Sequence, residues 1–248
     1  LRQYAEFKLN EDMRISDAAR DAHSAYFASF LEQRWAHLKN YRQQAATDEI
    51  ERELDNIRAA WVFFCAERRA HEIAVSASSL WMIIGDWHPR YEEANALFDA
   101  AIVALGKEPD TPENQSVIGH LFARQGWVTC YLGDPVKGET LARQAISLIK
   151  PQLFPEYLML AYDTLSLNSL FLGDGKNVAD AAMEGLRIAE NRTDNWAIAR
   201  FLFWLGFAAL IQGDWERARQ FGERALKLAE EFGDYFGITA TSNYVLST

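Results

Sequence analysis

The chain has 248 residues, of which 49% are hydrophobic, and a formal net charge of −10. This is enough to bury one continuous core, and no apolar run of about 20 residues could span a membrane, so we expect one elongated, soluble, cytoplasmic domain. Residues 73–248 carry 14 basic and 22 acidic side chains. They should repel a phosphate backbone, and direct nucleic-acid binding is not expected. Cys65 and Cys130 are too few for a disulfide framework and lack metal-site spacing, which favours reduced core thiols.

The two ends of the chain indicate that it is a piece of something longer. It begins at Leu1 without a methionine, and it ends at Thr248 inside a predicted helix from Tyr235 to Leu246. We therefore expect neighbouring segments on the same polypeptide, and the function has to be interpreted with them in mind.

Residues 1–69 predict a helical head that lacks a repeat signature. The segment from Leu1 to Leu9 is expected to be the end of a helix that belongs partly to what precedes it. Ser16 should then cap a long amphipathic helix that runs to about Leu38.

A polar break at 40–47 separates this helix from the next one in the head. Asp48 and Glu51 have the spacing of a capping box, in which each side chain satisfies a free backbone N–H at a helix start. They should open a second helix that continues through Phe64.

Residues 70–106 predict a first, divergent helix pair. Its two helices should run from Ala70 to Gly85 and from Tyr91 to Leu105. Gly85-Asp86 is the expected turn between them, and residues 87–90 are then an insertion.

A Gly-Asp pair recurs every 40 residues downstream, at 133–134, 173–174 and 213–214. Glycine adopts positive φ and aspartate caps the following helix, so each pair predicts a turn between two helices. The repeating units defined in this way span 112–150, 154–192 and 194–233, and 235–248 begins a further or capping helix.

Small residues recur in matched columns of these units. Seven residues before the turn glycine they are Gly126, Ser166 and Gly206, and twelve residues after it they are Ala145, Gly185 and Ala225. The spacing of Leu205-Gly206, Gly213-Asp214, Ala218 and Ala225 resembles the tetratricopeptide repeat. That resemblance implies an all-α fold, a right-handed α-α superhelix of antiparallel helix pairs in a repeat array over 70–248.

The period of 40 is longer than the usual 34 of that family. Longer helices would account for it, and the units are similar in this respect to the repeats of the maltose-operon activator's sensor domain. A HEAT-type array also has a period near 40, but the glycine seven residues before the turn favours the tetratricopeptide-like interpretation.

Two segments of the head carry a further resemblance. The stretches from Leu1 to Glu6 and from Glu53 to Ala60 are similar to the start of the helical-repeat region in bacterial signal-transduction ATPases of the STAND class. In those regulators this region is a C-terminal sensor that binds an inducer or partner. The chain has no P-loop of the form G-x-x-x-x-G-K-[ST], so the resemblance implies that the ATPase and output domains adjoin it.

No cluster of residues predicts catalysis. The histidines are dispersed without the i, i+4 spacing of a metal pair, and they are His23, His37, His71, His88 and His120. Acidic runs such as 49–55 fit solvated helix faces. We expect no enzyme activity, no metal and no cofactor. A helical-repeat hydrolase or transferase is the alternative from the enzyme class, and the missing constellation counts against it.

The first helix of each pair should turn one row of side chains to the concave surface. The candidate binding residues in this row are Trp127, Tyr131, Asp163, Leu167, Phe171, Arg200, Phe203, Phe207 and Ile211. Two interpretations stay open, because tight curvature or a neighbouring helix would bury the row as core, whereas an exposed apolar row would mark a binding surface. In the second case the aromatic rings would stack on a sugar or anchor a peptide, and Arg200 and Asp163 would orient it.

The hypothesis that combines these observations is a non-catalytic sensor region of a larger bacterial regulator. Its partner would be a protein or a small-molecule inducer on the concave face, and its neighbours would be the ATPase and output domains of the same polypeptide. Neither nucleic acid nor a membrane is expected as a partner. A passive scaffold that assembles proteins without a small-molecule trigger is the alternative.

Overall fold

The computed structural model describes residues 13–245, and within that range the chain forms α-helices and one π-helical turn without a strand. The helices are α1 (Met13–His37), α2 (Gln43–Arg52), α3 (Leu54–Ala66), α4 (Ala70–Trp81), α5 (Tyr91–Leu105), α6 (Pro112–Tyr131), α7 (Pro135–Leu148), α8 (Pro155–Phe171), α9 (Gly175–Asn191), α10 (Asn195–Ile211), α11 (Trp215–Phe232) and α12 (Tyr235–Val245). The π-helical turn, Met82–Trp87, directly continues α4. The predicted all-α fold class is confirmed.

From α4 onward the helices pack as consecutive pairs, α4 with α5, α6 with α7, α8 with α9, and α10 with α11. The first helix of each pair also contacts the first helix of the next, so that α4 packs on α6, α6 on α8, and α8 on α10. These four helices form the inner layer of a tetratricopeptide-like α-α superhelix. The second helices form its outer layer.

The three Gly-Asp turns have the geometry that the sequence predicts. Gly133, Gly173 and Gly213 have φ angles of 94°, 71° and 77°, in the left-handed region that favours glycine. The aspartate that follows each glycine accepts a hydrogen bond from the backbone N–H three residues later, at 3.0, 3.0 and 3.1 Å. Each turn therefore ends one helix and caps the next with a single dipeptide.

Close packing explains why glycine stands at Gly185, one of the matched repeat positions that hold small residues. A Cβ on Gly185 in α9 would overlap the ring of Phe201 in α10. In the preceding unit the equivalent positions are Ala145 and Ala161. The larger Phe201 ring fits because its neighbour has no side chain.

Two predicted helix starts in the head are wrong. Ser16 does not cap α1, because this helix already includes Met13 and Ser16 is buried within it. Asp48 lies in the interior of α2, exposed, where its carboxylate accepts a hydrogen bond from the side chain of Gln44. The capping-box spacing is therefore coincidental, and the actual break falls at Glu53, between α2 and α3.

The predicted turn at Gly85-Asp86 is also wrong. Both residues belong to the π-helical turn, and the chain leaves the helix only at His88. A Cβ on Gly85 would lie 3.1 Å from Trp81 and 3.2 Å from Val128. This glycine thus allows α6 to approach closely, and its backbone does not form the turn.

The first helices of the chain pack against the array. Helix α1 contacts α3 and α4, so the head extends the stack of inner helices by one. The division into a head at 1–69 and an array at 70–248 stays a prediction. The segment from Leu1 to Leu9 and the last part of the final predicted helix lie outside the described residues.

The head also contacts the last helices. We call this contact the closing seam, and residues 35–43 and 194–236 form its two sides. The backbone N–H of Tyr41 donates to the carbonyl of Phe232 at 3.0 Å. The buried Gln43 side chain donates to Asp234 at 2.8 Å and accepts from the N–H of Phe236 at 3.0 Å. The expectation of an elongated domain is wrong, because the curvature of the stack brings its two ends together.

The rings of Trp35 and Trp196 add an edge-to-face contact to the seam, with centroids 5.9 Å apart. Lys39 lies over both rings, and its ammonium is 3.9 Å from the carboxylate of Asp194. Burial lowers the pKa of Lys39, against the opposing attraction of Asp194. Polar, ionic and aromatic contacts therefore hold the two ends together.

Gly185→Ala should destabilise the chain, although alanine is the better helix former. The added methyl group collides with Phe201, and overpacking of this kind typically costs about 1–3 kcal/mol. Urea denaturation measures the change in the free energy of unfolding. In a Phe201→Leu background the same substitution should cost less, and an equal cost in both backgrounds would contradict the assigned contact.

Candidate binding site

A cavity of about 170 Å³ lies on the concave side of the superhelix, between the π-helical turn, α6, α10 and α12. The closing seam positions α12, so the cavity has a wall on the side opposite the inner layer. The aromatic side chains that line the cavity are Trp87, Trp127, Tyr131, Trp196, Phe203, Trp204 and Phe236. The charged residues that line it are Asp86, Arg200 and Asp234.

The best-connected polar group beside the cavity is the carboxylate of Asp163. It accepts hydrogen bonds from Arg200 Nε at 2.8 Å to each oxygen and from Trp204 Nε1 at 2.6 Å. Asp163 is 1% exposed, so this pair replaces water as the partner of the charge. Burial alone would lower the pKa of Arg200, but the attraction of Asp163 and Asp86 outweighs it, and the pKa is raised.

Asp86 has a weaker set of partners. Its side chain is 4% exposed, and its Oδ2 atom is 3.9 Å from the Arg200 guanidinium, too far for a hydrogen bond. The Trp127 indole approaches the carboxylate and lowers its pKa. Neither Trp127 Nε1 nor Asp86 Oδ2, however, has a hydrogen-bond partner among the described residues.

Burial dominates the electrostatics of this group and raises the pKa of Asp86 to about 6. The cations Arg200 and Arg124 oppose that effect, whereas the nearby charge of Asp163 reinforces it. At neutral pH a carboxylate therefore lies in an apolar wall with its charge only partly compensated.

A second guanidinium, that of Arg124, lies deeper in the inner layer. It is fully buried, lies 3.9 Å above the Trp81 ring, and contacts Ser78 and His120 through long hydrogen bonds of 3.4 Å. Burial lowers the pKa of Arg124 to about 9, which leaves it charged at pH 7. Burial also lowers the pKa of His120 well below its usual value, so this imidazole is neutral.

The structure distributes the sequence-predicted row over three environments. Trp127, Asp163 and Leu167 are buried, Arg200, Phe203 and Phe207 are partly buried, and Tyr131, Phe171 and Ile211 are exposed. Of these, Trp127, Tyr131, Arg200 and Phe203 line the cavity, with Asp163 directly behind Arg200. The row is therefore neither wholly buried as core nor wholly exposed as a binding surface.

The exposed members form what we call the rim, Tyr131, Phe171 and Ile211, at the C-terminal ends of α6, α8 and α10. The ring of Tyr131 stacks on Tyr91 with centroids 5.1 Å apart and meets Phe171 edge to face at 5.7 Å. Phe171 is 55% exposed. Tyr131 also lines the cavity, whereas Phe171 and Ile211 lie outside it.

Sequence analysis missed several residues of the cavity wall, namely Asp86, Trp87, Trp204 and Phe236. Asp86 and Trp87 were assigned to a turn and an insertion. The sequence does contain a signal for the wall that α12 forms, because the turn before this helix is another Gly-Asp pair, Gly233-Asp234. Gly233 has a φ of 68°, and Asp234 Oδ1 accepts from the N–H of Gly237 at 3.0 Å, as in the three regular turns.

Comparison with known families supports the repeat assignment. The family model of the tetratricopeptide repeat matches residues 199–232, which cover most of α10 and all of α11. The matched segment begins at Ala199 and contains Gly206, Ala218 and Ala225, the small residues on which the resemblance rests. No curated protein matches the chain.

Tetratricopeptide arrays are typically non-catalytic interaction modules, so the matched repeat supports a protein-interaction module for this region. Among residues 13–245, no three His, Cys, Asp or Glu side chains are grouped so that they could hold a metal ion. Within the same range, none of the helices combines the length and apolar character needed to cross a membrane.

Arg200→Met should destabilise the chain strongly, because it leaves the buried Asp163 charge without its partner. Breaking a buried pair from one side typically costs about 3–5 kcal/mol. Arg219→Met is the control, since Arg219 and Glu216 form an exposed pair whose loss should cost less than about 1 kcal/mol. Equal losses in a denaturant titration would show that the buried pair does not contribute as described.

Asp86→Asn should change how stability depends on pH. An acid whose pKa is higher in the folded state binds more protons there, so the free energy of unfolding falls as pH rises between the two pKa values. With a rise from 3.8 to about 6, the loss from pH 4 to pH 6 is on the order of 2 kcal/mol. The wild type should lose this amount relative to Asp86→Asn in urea titrations.

Asp180→Asn, which changes an exposed carboxylate on α9, should follow the wild type over the same pH range. If the difference between wild type and Asp86→Asn stays constant from pH 4 to pH 6, Asp86 does not have the raised pKa.

Proposed function

We propose that this array is the sensor region of a larger bacterial signal-transduction ATPase, and that its ligand or partner binds on the concave face. The observation that supports the proposal is the cavity, in which four residues of the predicted row meet α12. It combines apolar aromatic walls with a few charged groups, the usual composition of a ligand site. The adjoining ATPase is proposed because the head resembles the start of the repeat region in the STAND regulators.

The closing seam suggests how binding would be transmitted. A ligand in the cavity would contact Arg200 and Phe203 on α10 and Phe236 on α12, and the latter helix is held to the head through Gln43. Such a ligand would bind the closed array better than an opened one. That difference in affinity would shift the equilibrium between resting and active states of the adjoining ATPase.

A passive scaffold is the second candidate, and the rim favours it. Phe171 and Ile211 expose apolar surface outside the cavity, and Tyr131 exposes part of its ring at the edge, where a protein partner would reach them without entering the cavity. Substitution of Phe171 would then weaken assembly with that partner, whereas changes inside the cavity would not.

A thermal-shift screen of the 248-residue chain against small molecules and short peptides tests the sensor. A ligand at 100 times its dissociation constant adds about 2.7 kcal/mol, which raises the melting temperature by several degrees for a chain of this size. Phe203→Ala, in the cavity wall, should abolish the rise. Phe221→Ala is the matched control, because Phe221 is also partly buried but lies outside the cavity.

The outcomes separate the two candidates. A rise that survives Phe203→Ala, or no rise with any compound, contradicts a ligand site in the cavity. The wider proposal has its own test in the reading frame upstream of Leu1, where a P-loop ATPase would support the sensor and a stop codon shortly before Leu1 would contradict it.

A further inference from the structure

The size of the cavity limits what the closed array can hold. At about 170 Å³ it is close to an engineered protein cavity of about 150 Å³ that binds benzene. A molecule with a single ring fills that space, whereas an oligosaccharide or a peptide segment would have to extend out of it. The ligand class is therefore narrower than a concave tetratricopeptide surface would suggest.

The charges around the cavity are not balanced. The carboxylates of Asp86 and Asp234 line it, the carboxylate of Asp163 lies directly behind Arg200, and the guanidinium groups of Arg124 and Arg200 oppose these charges. Three negative groups against two positive ones leave one negative charge. The neutral imidazole of His120 does not change this balance.

The hydrogen-bond partners of the three carboxylates indicate that the uncompensated negative charge lies at Asp86. Asp163 is saturated by Arg200 and Trp204, and Asp234 Oδ1 accepts from Gln43 and from the N–H of Gly237. Asp86 Oδ2, in contrast, has no hydrogen-bond partner among the described residues, although its side chain is 96% buried at the cavity wall. A buried carboxylate oxygen of this kind is stabilised by a charged donor.

The walls are suited to a positive charge as well. Aromatic faces attract cations, and Arg200 already lies 4.7 Å from the centroid of the Trp127 ring and 5.5 Å from that of Trp196. Trp87, Tyr131 and Phe236 provide further aromatic surface around the same space. An anion, in contrast, would compete with Asp163 for Arg200 and face Asp86.

We propose that the cavity binds a small organic cation with a single ring, whose ammonium group pairs with the carboxylate of Asp86. This inference rests on the proposed function, since it names the ligand class of the same site. The ring of the ligand packs against the aromatic walls. Its charge neutralises the excess at Asp86.

Three probes of the same size and different charge test the proposal on the 248-residue chain at pH 7.5, namely benzylammonium, benzyl alcohol and benzoate. Isothermal titration calorimetry should give benzylammonium about tenfold higher affinity than benzyl alcohol, as one charged hydrogen bond implies. Benzoate should bind most weakly. This comparison requires no variant and does not depend on a substitution that fails to fold.

Asp86→Asn keeps the shape of the side chain and removes its charge, so it should remove the preference for benzylammonium over benzyl alcohol. Asp180→Asn, at an exposed site on α9, should keep it. Equal affinities for the two probes in the wild type, tightest binding of benzoate, or an unchanged preference in Asp86→Asn would each overturn the cation proposal.

A failure of this inference is distinguishable from a failure of the proposed function. If none of the three probes binds while another screened compound raises the melting temperature and loses that effect in Phe203→Ala, the cation is wrong and the cavity is still the ligand site. If no compound binds in a Phe203-dependent manner, both proposals fail.

Discussion

Contact between the first and the last helices determines what the concave face can do. An open stack of helix pairs would present its inner row to solvent, but the closing seam brings α12 over that row and leaves a cavity of about 170 Å³. A few specific contacts hold the seam, chiefly those of the buried Gln43 with α12. Any function on the concave face therefore depends on whether these contacts are made.

Burial of charge is the second constraint, and it follows from the first. Once α12 covers the concave face, Asp86, Asp163 and Arg200 lie in an apolar setting where a lone charge is unfavourable. Asp163 and Arg200 satisfy each other, whereas Asp86 Oδ2 has no hydrogen-bond partner among the described residues. From this arrangement we expect the stability of the array to depend on pH, and we propose that the cavity selects its ligand by charge.

The regular turns could be predicted from the sequence because each depends on a local dipeptide, as Gly173-Asp174 illustrates. The fold class followed from their spacing. The closure was not predictable, because it depends on contacts between residues about 190 positions apart, such as Gln43 with Asp234. Trp127 and Phe207 occupy equivalent row positions by spacing, yet Trp127 is buried and Phe207 is only partly buried, because the spacing does not show how the closed array covers each position.

Amide hydrogen exchange at Tyr41 tests the closed array most directly. Tyr41 is 68% exposed and lies outside the helices, and its N–H is bonded to the carbonyl of Phe232 across the seam. The closed array predicts slow exchange at this amide, and Gln43→Ala should accelerate it while α6 and α10 stay protected. Exchange of the Tyr41 amide at the rate of a free peptide, with those helices protected, would contradict closure and with it the cavity.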